Sequence, residues 1–282
     1  MGTDTDPAPA DGQPLPDAEV RYGELPEQVA DLYLPAAVEP APLLLLLIHG
    51  GFWKVEWDRM HVRPIARALA DRGYLVASIE YRRVGRGVDG GGGWPTTLDD
   101  VARAVAELPG AVAQRFPTRV DPDDVVTIGH SAGGHLALWA ALTAQNVTGA
   151  VSLAGVIDLG SAYAIRSGGG AVARFMGGGP EEVPERYAVA DPTRLAAPSV
   201  PVALLHGATD AVLPVAISLG YGEREHAEPA DPCNGGDETS PGQLSHDADA
   251  SERARRRWPA ARRATLPSPA RSTRNGRCRR AR

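Results

Sequence analysis

Ser131 stands in Gly129-His130-Ser131-Ala132-Gly133, a Gly-x-Ser-x-Gly pattern that follows the apolar run Val125 to Ile128 and precedes a helix-like segment from Leu136 to Ala144. A strand, a sharp turn and a helix form the setting in which a serine hydroxyl becomes a nucleophile. Glycines on both sides let the turn close without Cβ atoms beside it. The Ala132 N–H would open the helix and point at negative charge developing on a substrate oxygen. A second stretch complements it. His49-Gly50-Gly51-Phe52-Trp53 follows Leu43 to Ile48, and its paired glycines let backbone N–H groups approach a ligand closely. Carboxylates that could orient a catalytic histidine are Asp210, after His206-Gly207-Ala208-Thr209, and Asp158, after a strand expected over Val147 to Ile157.

The elements needed to position these groups are legible as periodicity. Val20 to Gly23 and Val29 to Leu34 read as a pair of edge strands. Leu43 to Ile48 is a continuous apolar run, as in a strand covered on both faces of a parallel sheet. Pro64 to Arg72 reads as a helix with Ile65, Leu69 and Ala70 inward, and Tyr74 to Ile79 as the next strand. A helix starts at Thr96 or Thr97, with Asp99 and Asp100 suited to the positive end of its dipole. Its expected apolar face is Leu98, Val101, Val105 and Leu108. Pro201 to Leu205 is a further strand, and Val215 begins a helix. Alternating strands and helices predict an α/β fold, a mostly parallel sheet with helices on both faces. Ligands of such sheets sit beyond the carboxyl ends of the strands, where all the candidate groups fall.

With these two motifs in this order, the chain resembles the α/β-hydrolase superfamily, its esterase and kynurenine formamidase (arylformamidase) branch in particular. The resemblance runs from about Tyr22 to about Tyr221. It implies acyl transfer through a covalent intermediate on Ser131, with the N–H groups of Gly51, Phe52 and Ala132 as oxyanion donors, a loop supported by His49, Gly50 and Trp53, Asp210 as the acid and no metal or organic cofactor. The implied partner is a small-molecule ester or N-formyl amide. The family's histidine should follow the acid at the end of a last apolar strand. Here no run of four apolar residues occurs between Gly222 and Arg282, and the two histidines available are His226 and His246. His226 is too close to Asp210 for an intervening helix and strand. Two readings stand: His246 serves as base from a loop, or a reading-frame change has replaced the family's last strand and histidine segment. The second allows a catalytically inactive binding protein.

The domain plan is a disordered lead over 1–18, a hydrolase domain over 19–221 with a lid-like insertion at 159–190, and an Arg- and Pro-rich tail over 222–282. Residues 251–282 hold twelve Arg against one acid, Glu252, in a chain of net charge −6, so the rest is acidic. Apart from Trp258 the tail lacks the interleaved aromatics of a nucleic-acid arm, and no specific nucleic-acid binding is expected. The two cysteines, Cys233 and Cys278, make no disulfide framework. No apolar run is long enough to span a bilayer and the first twenty residues lack a signal-peptide pattern, so the expected location is cytoplasmic.

Overall fold

The structure is a computed structural model that describes residues 12–36, 43–85, 91–116 and 121–226, the last without the side chains of 223–226. Its strands are β1 (Ala18–Arg21), β2 (Val29–Tyr33), β3 (Leu44–Ile48), β4 (Leu75–Ile79), β5 (Val125–His130), β6 (Val147–Leu153) and β7 (Val202–Leu205). The helices are α1 (Arg63–Ala70), α2 (Thr96–Arg115), α3 (Ala132–Thr143), α4 (Leu159–Ala164), α5 (Ser167–Met176), α6 (Pro184–Ala190) and α7 (Ala216–His226). The sheet order is β1-β2-β4-β3-β5-β6-β7. β1 pairs antiparallel with β2 and β2 with β4, and every later pairing is parallel. This is the fold class expected from the sequence. β2 is not an edge strand, however. It lies between β1 and β4 and is buried at every residue, so only β1 fills that role.

The apolar run of β3 is continuous because both faces are covered. Leu44, Leu46 and Ile48 join the core formed with α2 and α3, where Leu98, Val101, Leu108 and Leu136 pack. Leu45 and Leu47 face the other way, onto Tyr33, Val62, Ala66 and Ala70 at α1. Each of these buried side chains contributes roughly 1.5–3 kcal/mol. The chain leaves β3 toward β4 on one side, and β5 lies on the other. A crevice opens at such a switch point beyond the strand ends, and the loops after β3 and β5 meet there.

Three local expectations are corrected. Ile65 is 40% exposed, whereas Ala70 is buried as expected, with Ala66 buried beside it and Leu69 half-buried. Asp100 does not serve the α2 dipole at the surface. It is fully buried, and its carboxylate accepts from Gln28 Nε2 at 2.8 Å and from the Arg82 guanidinium at 2.7 and 2.8 Å. β6 ends at Leu153 rather than Ile157, so Asp158 lies in a loop. The insertion at 159–190 holds the short helices α4, α5 and α6. The segments 1–11, 37–42, 86–90, 117–120 and 227–282 are outside the described residues. So are His246 and the place of a last strand.

Candidate active site

Ser131 has φ 54° and ψ −117°, a backbone region that L-residues avoid. The surroundings fix it there. Its N–H donates to Leu153 O at 2.9 Å, and its carbonyl accepts from His135 N at 3.1 Å and Val156 N at 3.2 Å. A Cβ at Gly129 would strike the Gly133 carbonyl, and one at Gly133 would strike the carbonyls of Ile48 and His49. Both glycines are therefore required by close backbone approach, as the motif implied. Ala132 opens α3, and its N–H belongs to the first turn, which has no partner within the helix.

The loop after β3 is equally constrained. Gly51, Phe52 and Trp53 all have positive φ, at 104°, 56° and 56°. For the two non-glycines this costs on the order of 1–3 kcal/mol each. Packing offsets it. Trp53 is 1% exposed, stacks on Phe175 of α5 at 4.5 Å and meets His135 edge-on at 5.5 Å. Its carbonyl accepts from Val84 N at 2.7 Å. The Phe52 ring lies against Gly168, where a Cβ would collide with it. Gly168, Gly169 and Gly170 have φ of 59°, 65° and 82°, a left-handed turn at the start of α5 that brings the backbone close to that ring.

These loops enclose a cavity of about 270 Å³ lined by Gly51, Phe52, Trp57, His61, His130, Ser131, Ala154, Asp210, Val212 and Leu213. Of the sequence-derived candidates, Ser131, Gly51, Phe52 and Asp210 meet here. Trp53 does not line the cavity. It turns into the core as a support, and the second aromatic of the wall is Trp57, with His61 edge-on to it at 4.6 Å. Sequence reasoning gave neither Trp57 nor His61 a role at the site, since no periodicity marks either. No residue of 159–190 lines the cavity, although Phe175 in that segment packs on Trp53 of the loop after β3.

Asp210 Oδ1 accepts from Val212 N at 2.8 Å and Leu213 N at 2.9 Å. The N–H groups of Leu213 and then Val212 hold its carboxyl below the ordinary range. It is thus an ionised, oriented carboxylate. His206 is a structural neighbour: its Nε2 donates to Leu213 O at 2.9 Å and its Nδ1 accepts from Ser218 Oγ at 2.7 Å. His135, buried in α3, bonds Ala190 O at 2.9 Å. His130 lines the cavity, and burial lowers its pKa, with His61 adding to the effect and Asp210 opposing it. Among the described residues no histidine bonds Ser131 Oγ, and no group of three His, Cys, Asp or Glu could hold a metal. No described helix is long and apolar enough to cross a membrane.

Asp158, the rival acid, is occupied elsewhere. It caps α4, accepting from Ser161 N and Ser161 Oγ, both at 2.7 Å. Asp158→Ala is expected to cost about 1 kcal/mol, the worth of an N-cap, and to leave kcat unchanged. Urea unfolding beside an ester-hydrolysis assay measures both; a large fall in kcat would return Asp158 to the site.

A profile of the BD-FAE family matches residues 30–222. The chain belongs to the BD-FAE family. The strand order and site fit the α/β-hydrolase fold of esterases, and solved structures agree. A truncated form of a carbohydrate esterase from gut microbiota superimposes with a TM-score of 0.62 at 21% identity, covering 76% of this chain and 85% of that one. Esterase 2 of Thermogutta terrifontis, phosphoramylated by tabun, gives 0.58 at 20% identity, covering 74% and 77%. By sequence, this BD-FAE chain is 35% identical over 100 residues to the probable carboxylic ester hydrolase LipM of Mycobacterium tuberculosis, covering 36% of this chain and 21% of that protein. It is 37% identical over 141 residues to the non-reducing polyketide synthase ausA of Aspergillus calidoustus, covering 47% and 6%. The chain spans about a quarter or less of the length of the curated relatives it matches.

Proposed function

We propose that this BD-FAE protein is a serine hydrolase that cleaves a small carboxylic ester, or an N-formyl amide, by acyl transfer through Ser131. The observation that carries the reading is the strained Ser131, which lines the same cavity as Gly51 and Phe52. Strain concentrated on a polar residue facing a cleft is a cost with no structural return.

In this reading Ser131 Oγ attacks the carbonyl carbon while a histidine takes its proton. The carbonyl π pair moves to oxygen, which the N–H groups of Gly51, Phe52 and Ala132 receive. When the oxyanion collapses, the C–O or C–N bond breaks, and the leaving group departs with the histidine's proton. Water then repeats the sequence on the acyl-enzyme. Each oxyanion donor is worth ~3–4 kcal/mol in comparable enzymes. Asp210 orients the base, and His246 is the candidate for it. The cavity of about 270 Å³, with Phe52 and Trp57 in its wall, suits a small acyl or aryl group. The relatives named as ester hydrolases support the ester over the amide.

A fluorophosphonate probe offered to the full-length chain tests the reading. Labelling of Ser131 is expected, together with faster release from p-nitrophenyl acetate than from N-formylkynurenine. Faster turnover of the formamide would move the substrate class. A folded chain that stays unlabelled would sink the enzyme reading and leave a binding protein. His246→Ala removes the labelling if His246 is the base and leaves it intact if it is not.

A further inference from the structure

His49 is fully buried and lies face to face with the Tyr81 ring, 4.3 Å away and tilted by 10°. Both of its ring nitrogens face oxygen acceptors. Nδ1 is 2.8 Å from the carbonyl of Gly50, and Nε2 is 2.9 Å from Glu80 Oε1. A carbonyl oxygen and an ionised carboxylate can only accept, and a neutral imidazole has one N–H to give. Turning the ring over would put carbons at both positions and lose both bonds. The two contacts are satisfied together only when both nitrogens carry protons.

Glu80 is built to be that ionised partner. It follows β4, and its Oε1 also accepts from Tyr81 N at 3.1 Å and lies 3.3 Å from Arg83 Nε. Its Oε2 accepts from Arg59 N at 3.0 Å, with Arg59 Nη1 at 3.8 Å. Burial by itself would raise its pKa, but His49, Arg83 and the Arg59 N–H outweigh burial and push it down to about 2. The remaining groups facing His49 and its peptide are the Tyr81 hydroxyl, which donates to His49 O at 3.0 Å, and the His130 ring, whose Nδ1 faces Gly50.

We propose that Glu80 holds His49 as an imidazolium, and that this cation strengthens the oxyanion hole through the peptide it binds. The carbonyl of Gly50 and the N–H of Gly51 are two ends of one conjugated peptide group. A cation donating to the oxygen draws density through the C–N bond and makes the N–H a stronger donor, the cooperative effect known for chained hydrogen bonds. Gly51 N–H is one of the donors assigned above, so the inference rests on the serine hydrolase reading. Glu80 and His49 act as positioning residues and never touch substrate. Because the benefit grows with charge on the substrate oxygen, it falls on kcat rather than KM.

The test is nitrogen NMR of the full chain labelled with 15N-histidine, which needs no variant to read charge. His49 is expected to show two protonated nitrogens through the neutral pH range. His135, equally buried, is the internal contrast: burial lowers its pKa to about 4 and leaves it neutral, with one nitrogen bonded to Ala190 O. In Glu80→Gln the amide oxygen still accepts one bond but the negative charge is gone. With no anion beside it, His49 is expected to carry a single ring proton there at neutral pH. In that variant kcat at neutral pH should fall by about tenfold relative to the native chain, less than for loss of a whole donor, with KM unchanged. A single protonated nitrogen on native His49 would overturn the proposal, whether or not the chain hydrolyses anything. Native kcat in a Glu80→Gln chain whose His49 carries a single ring proton would overturn the link to the oxyanion hole. A doubly protonated His49 in a folded chain that leaves Ser131 unlabelled would support the charge and overturn the hydrolase reading instead.

Discussion

Ser131→Gly is expected to lose hydrolysis and gain stability in the same molecule. At φ 54° and ψ −117° the serine occupies a region costing on the order of 1–3 kcal/mol for a residue with a Cβ. Glycine enters it without that cost. The neighbouring bonds use only the backbone of residue 131: N–H to Leu153 O, and carbonyl from His135 N and Val156 N. All three survive the change, so the midpoint of urea unfolding should rise by an amount equivalent to about 1–2 kcal/mol, less the extra entropy of a glycine in the unfolded chain. Hydrolysis of p-nitrophenyl acetate should fall by about a thousandfold or more, since the nucleophile is the one group that oxyanion donors cannot replace. Ser131→Ala supplies the comparison. It should be as inactive as the glycine variant but no more stable than the native chain, because alanine keeps the Cβ and hence the strain. Equal stabilities for the two variants would mean that the elbow is not strained. Activity retained in either would remove Ser131 from the chemistry.

The same residue shows what a sequence can disclose about a site. Gly-x-Ser-x-Gly is readable because each glycine answers to a backbone collision, and a collision permits one residue type at one spacing. The buried strand β3 is readable for a related reason: two cores, one on each face, leave no place for a polar residue between Leu44 and Ile48. Trp57 and His61 were not readable. They reach the cavity because the loop after Trp53 passes through a bridge between Lys54 and Val84 and then a short turn, Arg59–Val62. No period links that path to the crevice. The direction of the Trp53 ring was not readable either, because an aromatic in such a loop can face either ligand or core. The choice was made by Phe175 and His135, distant in sequence. Asp158 looked equivalent to Asp210 while β6 was taken to reach Ile157. Once the strand stops at Leu153, a cap for α4 is the role left to it. Buried charge was the least legible layer. Glu80 reads as one polar residue after a strand, yet it gathers His49, Arg59, Arg83 and two backbone N–H groups. Asp100 reads as a helix-dipole residue, yet it ties α2 to Gln28 and Arg82. Pairings between distant segments leave no local pattern.

Backbone collision also yields a prediction of opposite signs for one substitution at two places. In Gly133→Ala the new Cβ would meet the carbonyls of Ile48 and His49, where β3 passes into the loop of Gly50 to Trp53. Neither is a flexible side-chain end. To admit a methyl group, α3 must move away from β3 or the loop must shift, and both β3 and α3 are packed from the other side as well. Overpacking of a well-filled interior costs typically 1–3 kcal/mol, and more where backbone must move. About 3 kcal/mol is therefore expected, with kcat falling because the displaced atoms adjoin Gly50 and Gly51. In Gly110→Ala the methyl group meets nothing within 4 Å, and the residue sits inside α2. There the change should stabilise by about 0.5–1 kcal/mol through helix propensity alone and leave turnover as it was. Thermal unfolding of both variants decides the matter, a shift of roughly 2–4 °C corresponding to each kcal/mol in a chain of this size. If Gly133→Ala unfolds no earlier than Gly110→Ala, then β3 and α3 are not in the close contact that brings Ser131 to the oxyanion loop. The site would then depend on something other than that contact.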